Sequence, residues 1–249
     1  TVKPFIPKSI IPATKFPVYR ESTKKYYVPR FYGVEKYGNP KRVEITMGDK
    51  ININFKGKLR DYQDNIVDKY VKYVNEIGGG LLEIDTGLGK TVIALNILTK
   101  IKVKALIIVH KEFLMNQWIE RIEQFIPEAR VGKIQGSKID IEDKDIVIGM
   151  LQSISMKDYD TDVFNSFGIT VIDEVHHMGA EVFSQALSKV VTAYTLGLSA
   201  TMERKDGLSK VFKMFIGETI HVEKRDTSKH QVLVKCLKYK VDDDEFNEI

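Results

Sequence analysis

The sequence predicts an α/β protein: a parallel sheet covered by helices, preceded by a basic, proline- and aromatic-rich N-terminal extension that contains a β-hairpin. Three observations predict it. From Leu59 onward, short apolar runs recur and each is followed by a segment of helical period. The runs are short and predominantly apolar, which fits strands buried on both faces. The first forty residues hold six of the seven prolines, a density that forbids long helices and favours extended segments lying on another surface.

In chain order, residues 1–55 form the extension. Aromatic and basic residues interleave most densely in Tyr26-Tyr27-Val28-Pro29-Arg30-Phe31-Tyr32. Val43, Ile45 and Met47 alternate up to Gly48-Asp49, and Ile51, Ile53 and Phe55 alternate after it, so the hairpin is expected at Val43–Phe55. Asp61 can cap a helix whose Ile66, Val67, Tyr70, Val71, Val74 and Ile77 make one apolar stripe, and Gly78-Gly79-Gly80 stops it. Strands are expected at Leu81–Ile84, Ala105–Val109, Ile146–Ile148, Ile169–Ile172 and Tyr194–Leu198. Between them, Leu114, Trp118, Ile122 and Phe125 form the clearest helical stripe. After Gly217 two more strands are expected, near Ile220–Glu223 and Val232–Lys240, before the acidic run Asp242-Asp243-Asp244-Glu245.

Composition narrows the setting. With 249 residues and 43% hydrophobic content the chain can bury a sizeable core. No run approaches the roughly eighteen apolar residues of a membrane span, and no leader pattern opens the chain. The single cysteine, Cys236, excludes an internal disulfide and a multi-cysteine zinc site. A soluble, intracellular protein with no membrane partner is expected. Because the chain opens on Thr1, it is expected to be a piece of a longer polypeptide. The net charge of +4 conceals an asymmetry. Residues 1–60 carry ten Lys and four Arg against Glu21, Glu35, Glu44 and Asp49, a balance of +10, and the remainder balances to −6. Only the N-terminal part suits a polyanion by charge alone.

The chemistry is concentrated in two places. Ile84-Asp85-Thr86-Gly87-Leu88-Gly89-Lys90-Thr91 lies between an expected strand and an expected helix. Glycines there let backbone N–H groups and a helix N-terminus wrap a phosphate, Lys90 reaches the β- and γ-phosphates, and the Thr91 hydroxyl can ligate Mg²⁺. The strict phosphate-loop pattern asks for glycine where Ile84 stands. Downstream, Ile169–Ile172 runs into Asp173-Glu174-Val175-His176-His177. A buried strand ending in two carboxylates is poor core design and good metal chemistry: Asp173 to hold Mg²⁺, Glu174 to deprotonate the attacking water. The adjacent histidines lack the spacing of a zinc site.

The ordered motifs resemble those of superfamily 2 helicases, over roughly residues 59–217. Asp173-Glu174-Val175-His176 resembles the DExH box, and Ser199-Ala200-Thr201 resembles motif III. Leu59-Arg60-Asp61-Tyr62-Gln63 looks like the element whose glutamine reads adenine. Val109-His110-Lys111 through Gln117-Trp118 is similar to motif Ia, and Gly149-Met150-Leu151-Gln152-Ser153 to motif Ic. The stretch Leu198–Gly207, with Phe215-Ile216-Gly217, looks most like the subgroup of XPB (Rad25), the phage helicase UvsW and the transcript-release helicases of poxviruses and other large DNA viruses.

The resemblance implies a RecA-like fold that binds ATP and Mg²⁺ and acts on nucleic acid, DNA favoured over RNA. It implies coupling roles for His176, Ser199 and Thr201, and backbone contacts from His110, Lys111, Gln152 and Ser153. It also implies a second RecA-like domain, which supplies arginines to the γ-phosphate and for which residues 218–249 leave too little chain. Residues 56–217 are then the first RecA-like domain, and residues 218–249 are strands and an acidic linker. Two rival readings stay open: the motor of a restriction enzyme, and a catalytically idle module that uses ATP only as a conformational ligand. For the basic arm, nucleic-acid contact and simple packing are equally expected.

Overall fold

The computed structural model describes residues 1–4, 15–160, 162–204 and 206–226. The expected strand at Val232–Lys240, the acidic run at 242–245, Cys236 and Lys205 lie outside the described residues.

The apolar runs form the sheet. Strands β1 (Arg20–Glu21) and β2 (Tyr26–Tyr27) make a small antiparallel hairpin in the extension. Helix α1 (Arg30–Tyr37) follows Pro29, and helix α2 (Asp61–Ile77) opens the main body. Then come β3 (Gly79–Ile84), α3 (Lys90–Ile101), β4 (Ala105–Val109), α4 (Glu112–Phe125), β5 (Val131–Gln135) and β6 (Lys138–Asp140). Next are β7 (Ile146–Met150), α5 (Leu151–Met156), β8 (Ile169–Ile172), α6 (Ala180–Leu187), β9 (Tyr194–Ser199), α7 (Ser209–Ile216) and β10 (Thr219–Glu223). Among the described residues, eight strands form one sheet in the order β10-β3-β9-β8-β4-β7-β5-β6. All pair in parallel except β6, which turns back on β5.

Two cores follow from burying both faces. One packs Ile66, Val67, Tyr70, Leu95, Leu98, Trp118 and Ile122 from α2, α3 and α4 against the sheet. The other packs Ile154, Phe183, Phe212 and Ile216 from α5, α6 and α7 against the opposite face, with Phe16 of the extension added to it. Ile77, the last residue of the α2 stripe, is exposed. Helix α2 starts at Asp61 with Arg60 as its N-cap, so Asp61 is the first helical residue rather than the cap. The Gln63 side chain accepts from the Arg60 N–H at 3.0 Å, which satisfies a donor that the helix leaves open.

The hairpin lies at residues 20–27, not at Val43–Phe55. Residues 43–55 stay extended because their backbone groups bond to the main body instead of to each other. Asp49 N–H donates to Ser166 O, Lys104 N–H donates to Asp49 O, and Ile51 N–H donates to Lys102 O, at 2.8, 2.8 and 3.1 Å. Gly48, at φ +74°, lies directly on the Gly168 backbone, where a Cβ would meet the Gly168 nitrogen at 2.1 Å. Ile51 and Ile53 are buried, and Phe55 stacks on Phe125 with 5.3 Å between ring centroids. The alternation is real from Ile51 on, where its apolar side faces the main body, whereas Val43 and Met47 are exposed.

Candidate nucleotide site and adjoining loops

Every residue singled out in the sequence for nucleotide chemistry lies at or beyond the C-terminal end of a parallel strand, apart from Gln63 in the first turn of α2. That end of an open α/β sheet is where loops converge and ligands bind. The loop after β3 carries Asp85 to Gly89, and Lys90 and Thr91 open α3. Gly87 and Gly89 have φ of +85° and +89°, conformations that let N–H groups turn inward and that side chains with a Cβ resist. Gln63 and Tyr62 hold the loop from α2. Gln63 Nε2 and Tyr62 Oη both donate to Leu88 O, at 3.0 and 2.9 Å.

Lys90 Nζ, largely buried, is 3.4 Å from Glu174 Oε1 and 3.4 Å from Ile84 O. Asp173, just past β8, has both carboxylate oxygens engaged. Trp118 Nε1 donates to Oδ2 at 2.8 Å, and the Glu174 N–H donates to Oδ1 at 2.9 Å. Burial pushes the Asp173 carboxyl up to about 6, against the pull of the Trp118 hydrogen bond, with the neighbouring Glu174 charge pushing the same way as burial. Glu174 adopts the left-handed region at φ +51°, and its Oε2 is buried without a hydrogen-bond partner. His176 Nδ1 lies 3.4 Å from that oxygen but faces Ser199 Oγ at 2.8 Å. Ser199 Oγ donates in turn to Thr201 O, closing a short chain from the acidic box to the end of β9. Burial lowers the His176 basicity, with the neighbouring His177 adding to it.

A second group gathers beside the first. His110 and Lys111 follow β4, Gln152 and Ser153 open α5, and Gln152 Nε2 donates to His110 O at 3.3 Å. Ser153 Oγ accepts from the Gly136 N–H at 2.9 Å. Lys111 and Gln152 are exposed. The two groups meet through histidine rings: His177 lies 4.0 Å from His176 and 5.8 Å from His110, centroid to centroid. His177 thus lies between the His176 ring and the loop after β4.

Three features are not read from the sequence. Trp118 reaches Asp173 across 55 positions of chain. Arg204 donates to the carbonyls of His176 and Met178 and pairs with Asp206, fixing the loop after the acidic box. Lys224 and Arg225, just past β10, fasten on the phosphate loop: Arg225 N–H to Asp85 at 2.9 Å, its guanidinium to Thr86 O at 3.3 Å, and Lys224 to Glu83 at 2.7 Å. Those donors, the Arg225 N–H foremost, hold the Asp85 carboxyl below its ordinary value.

The arrangement fits a magnesium nucleotide. A lysine rests on long contacts, a buried carboxylate is ionised against its surroundings, an oxygen of Glu174 lacks a donor, and a glycine-lined loop opens onto a helix N-terminus.

The family described as type III restriction enzyme, res subunit, matches residues 56–204. The putative ATP-dependent RNA helicase L396 of Acanthamoeba polyphaga mimivirus is 35% identical over 226 residues, 90% of this chain and 43% of that protein. The DNA 3'-5' translocase XPB2 of Sulfurisphaera tokodaii is 31% identical over 203 residues, 77% of this chain and 43% of that protein. The chain thus spans less than half the length of these two relatives. Among solved structures, the UvsW helicase of bacteriophage T4 superposes with a TM-score of 0.56 at 22% identity, over 72% of this chain and 64% of that one. Among the described residues, no helix is long and apolar enough to cross a membrane. Matched over more than half its length, the chain belongs to the family of the type III restriction enzyme res subunit, as the N-terminal RecA-like domain of a superfamily 2 helicase.

Proposed function

We propose that this chain is the ATP-binding half of a motor that moves on or remodels duplex or branched DNA. The observation that carries the reading is the convergence of Lys90, Asp173 and Glu174 on one glycine-turned loop. In this reading the loop from Ile84 to Gly89 wraps the phosphates with N–H groups, and Lys90 leaves Glu174 for them. Thr91 and Asp173 hold the magnesium ion, which when bound neutralises phosphate charge and orients the nucleotide. Glu174, freed of Lys90, orients the attacking water and takes its proton. His176, Ser199 and Thr201 carry the change toward the loops at His110, Lys111, Gln152 and Ser153, which contact the nucleic-acid backbone. For Gln63, reading adenine requires exchanging its bond to Leu88 O, since both ends of its amide are engaged within the chain.

The division of labour follows. Residues 56–217 are the motor domain, residues 1–55 an extension, and residues 218–249 lead to a second RecA-like domain that supplies arginine to the γ-phosphate. Arg204 is held by two carbonyls and Asp206, so it is not that arginine. A second reading, action on RNA, is favoured by the name of the mimiviral relative.

In the full-length protein, Lys90→Ala should abolish ATP turnover. Glu174→Gln should keep nucleotide binding and lower turnover by about 10²–10⁴, the usual loss for a general base. Unchanged steady-state turnover in Glu174→Gln would overturn its role. Residues 1–249 alone should turn ATP over barely at all, because an arginine finger is worth about 10³–10⁵ in rate. Comparing stimulation by duplex DNA and by RNA in the full-length protein decides between the two substrates.

A further inference from the structure

We propose that Trp118 is a positioning residue for the magnesium site: its indole N–H fixes the Asp173 carboxylate so that the remaining lone pairs face the nucleotide. This rests on the nucleotide-binding role proposed above. Trp118 is 1% exposed and Asp173 6% exposed, and the bond between them is 2.8 Å long. A carboxylate offers about four lone-pair sites. The Trp118 and Glu174 N–H groups each take one, one per oxygen, so the carboxylate plane is set by two donors from two different elements.

Trp118 is well placed to hold that plane. It lies in the middle of α4, on the stripe with Leu114 and Ile122 that is buried against the sheet, so its ring cannot swing away. An indole donates only through its N–H and accepts nothing, so it cannot compete with Asp173 for a cation. Its neutrality matters too. A lysine or arginine here would also donate, but it would cancel the charge that Asp173 presents to the metal. The outer partners of metal-binding carboxylates act in this way, and their loss typically costs roughly 10–100-fold in metal affinity. The same helix begins just after His110 and Lys111, so the indole also joins the candidate backbone-contacting loop to the nucleotide site.

Trp118 is the one tryptophan of the chain, which gives the test an internal signal. With residues 1–249, binding of the fluorescent nucleotide mant-ATP is followed while Mg²⁺ is titrated at pH 8. Trp118→Phe, which keeps the ring and removes the donor, should move the Mg²⁺ midpoint up by roughly 10–100-fold. Binding should return at saturating Mg²⁺. Ile122→Val, a packing change one turn along the same stripe, should leave the midpoint in place. A Trp118→Phe midpoint within twofold of the unaltered chain overturns the proposal. Should Trp118→Phe fail to fold, the unaltered chain still decides. Its tryptophan emission should change when Mg²⁺ and ATP are added together and revert with a chelator, and silent emission at saturation overturns the proposal. If the unaltered chain binds no mant-ATP at any Mg²⁺ concentration, the nucleotide-site reading falls, and Trp118 with it; if it binds with no dependence on Mg²⁺, the nucleotide reading stands and the role of Trp118 falls. If binding depends on Mg²⁺ equally in both proteins, only Trp118 falls.

Discussion

At the scale of single residues, the site is costly to keep without its ligands. Asp173 is buried and ionised at neutral pH, and Glu174 occupies a left-handed conformation that a non-glycine residue adopts at a cost. The direction in which Asp173 is displaced fixes a test. Its folded value, about 6, lies above the ordinary 3.8, so the folded protein holds the proton more tightly than the unfolded chain. The resulting stability is fully present below 3.8 and is lost as pH rises through about 6. In metal-free protein at pH 8, Asp173→Asn should therefore stabilise the fold. The gain is on the order of 2–3 kcal/mol, since each tenfold change in proton affinity is worth about 1.4 kcal/mol. The amide oxygen can still accept from Trp118, but the amide NH₂ then meets the Glu174 N–H, and loss of that bond reduces the gain. Urea midpoints of variant and parent should differ at pH 8 and draw together toward pH 5. A variant that is less stable at pH 8 would mean that Asp173 holds the fold together rather than burdening it. The position of the pair Asp173-Glu174 at the end of a buried strand, beside Lys90, was legible in the sequence because an apolar run leads straight into it. Its partner Trp118 was not, because helical spacing places an indole in a core without saying which polar group its N–H meets.

Among the elements, legibility divides along burial. The central strands β3, β4, β7, β8 and β9 are near-continuous apolar runs because both their faces are covered, and the sequence places each of them within two residues. At one side of the sheet, β5 and the edge strand β6 escaped notice. Val-Gly-Lys-Ile-Gln is only half-buried and alternates, and Lys-Ile-Asp is too short to show a period. What sets their register is a contact that no pattern reveals. Asp145, just before β7, accepts from the Arg130 N–H at 2.8 Å and from Arg130 Nε and Nη2 at 3.0 and 2.9 Å, one residue ahead of β5. Burial pushes the Asp145 carboxyl up, but the Arg130 donors outweigh it and hold the group below its ordinary 3.8. Its stability is thus present above 3.8 and lost as pH falls through the lower folded value. Asp145→Asn should cost about 1–2 kcal/mol at pH 7, a modest figure because Arg130 is more than half exposed. The gap between variant and parent should persist at pH 5 and close below 3.8. A gap that stays constant into acid would assign the contribution to packing, with no electrostatic part.

For the whole molecule, the basic arm is the part whose role the sequence left evenly divided, and the sheet's polarity now weighs on it. Arg30 donates to Ala193 O at 2.8 Å, just ahead of β9, and Phe31 reaches Gly79 at the first residue of β3. Both contacts are at the N-terminal ends of strands, whereas the phosphate loop and the candidate backbone-contacting residues are at the C-terminal ends. Six residues of β3 separate the two ends, about 20 Å at roughly 3.3 Å per residue. That exceeds the Debye length of about 8 Å at physiological salt, so a charge at that end, such as Arg30, scarcely acts on a strand held by the motif loops. Phe16 and Pro29 are buried, yet Tyr26, Tyr27 and Tyr37 remain exposed, so among the described residues the arm docks through a few anchors. Packing is therefore the expected role. A chain starting at Val43, which keeps Ile51 and Ile53, should melt several degrees lower by circular dichroism, as loss of a buried aromatic anchor predicts. Its duplex DNA affinity, titrated across salt at fixed pH, should keep the slope of the complete chain. Were the arm to track the backbone with four cations, the slope would fall by roughly 3.6 on truncation, at about 0.9 per phosphate neutralised. A drop of that size with the melting temperature unchanged would reverse the assignment. It would mean that the basic residues ahead of Val43 serve nucleic acid at the far end of the sheet, on a path separate from the motif loops.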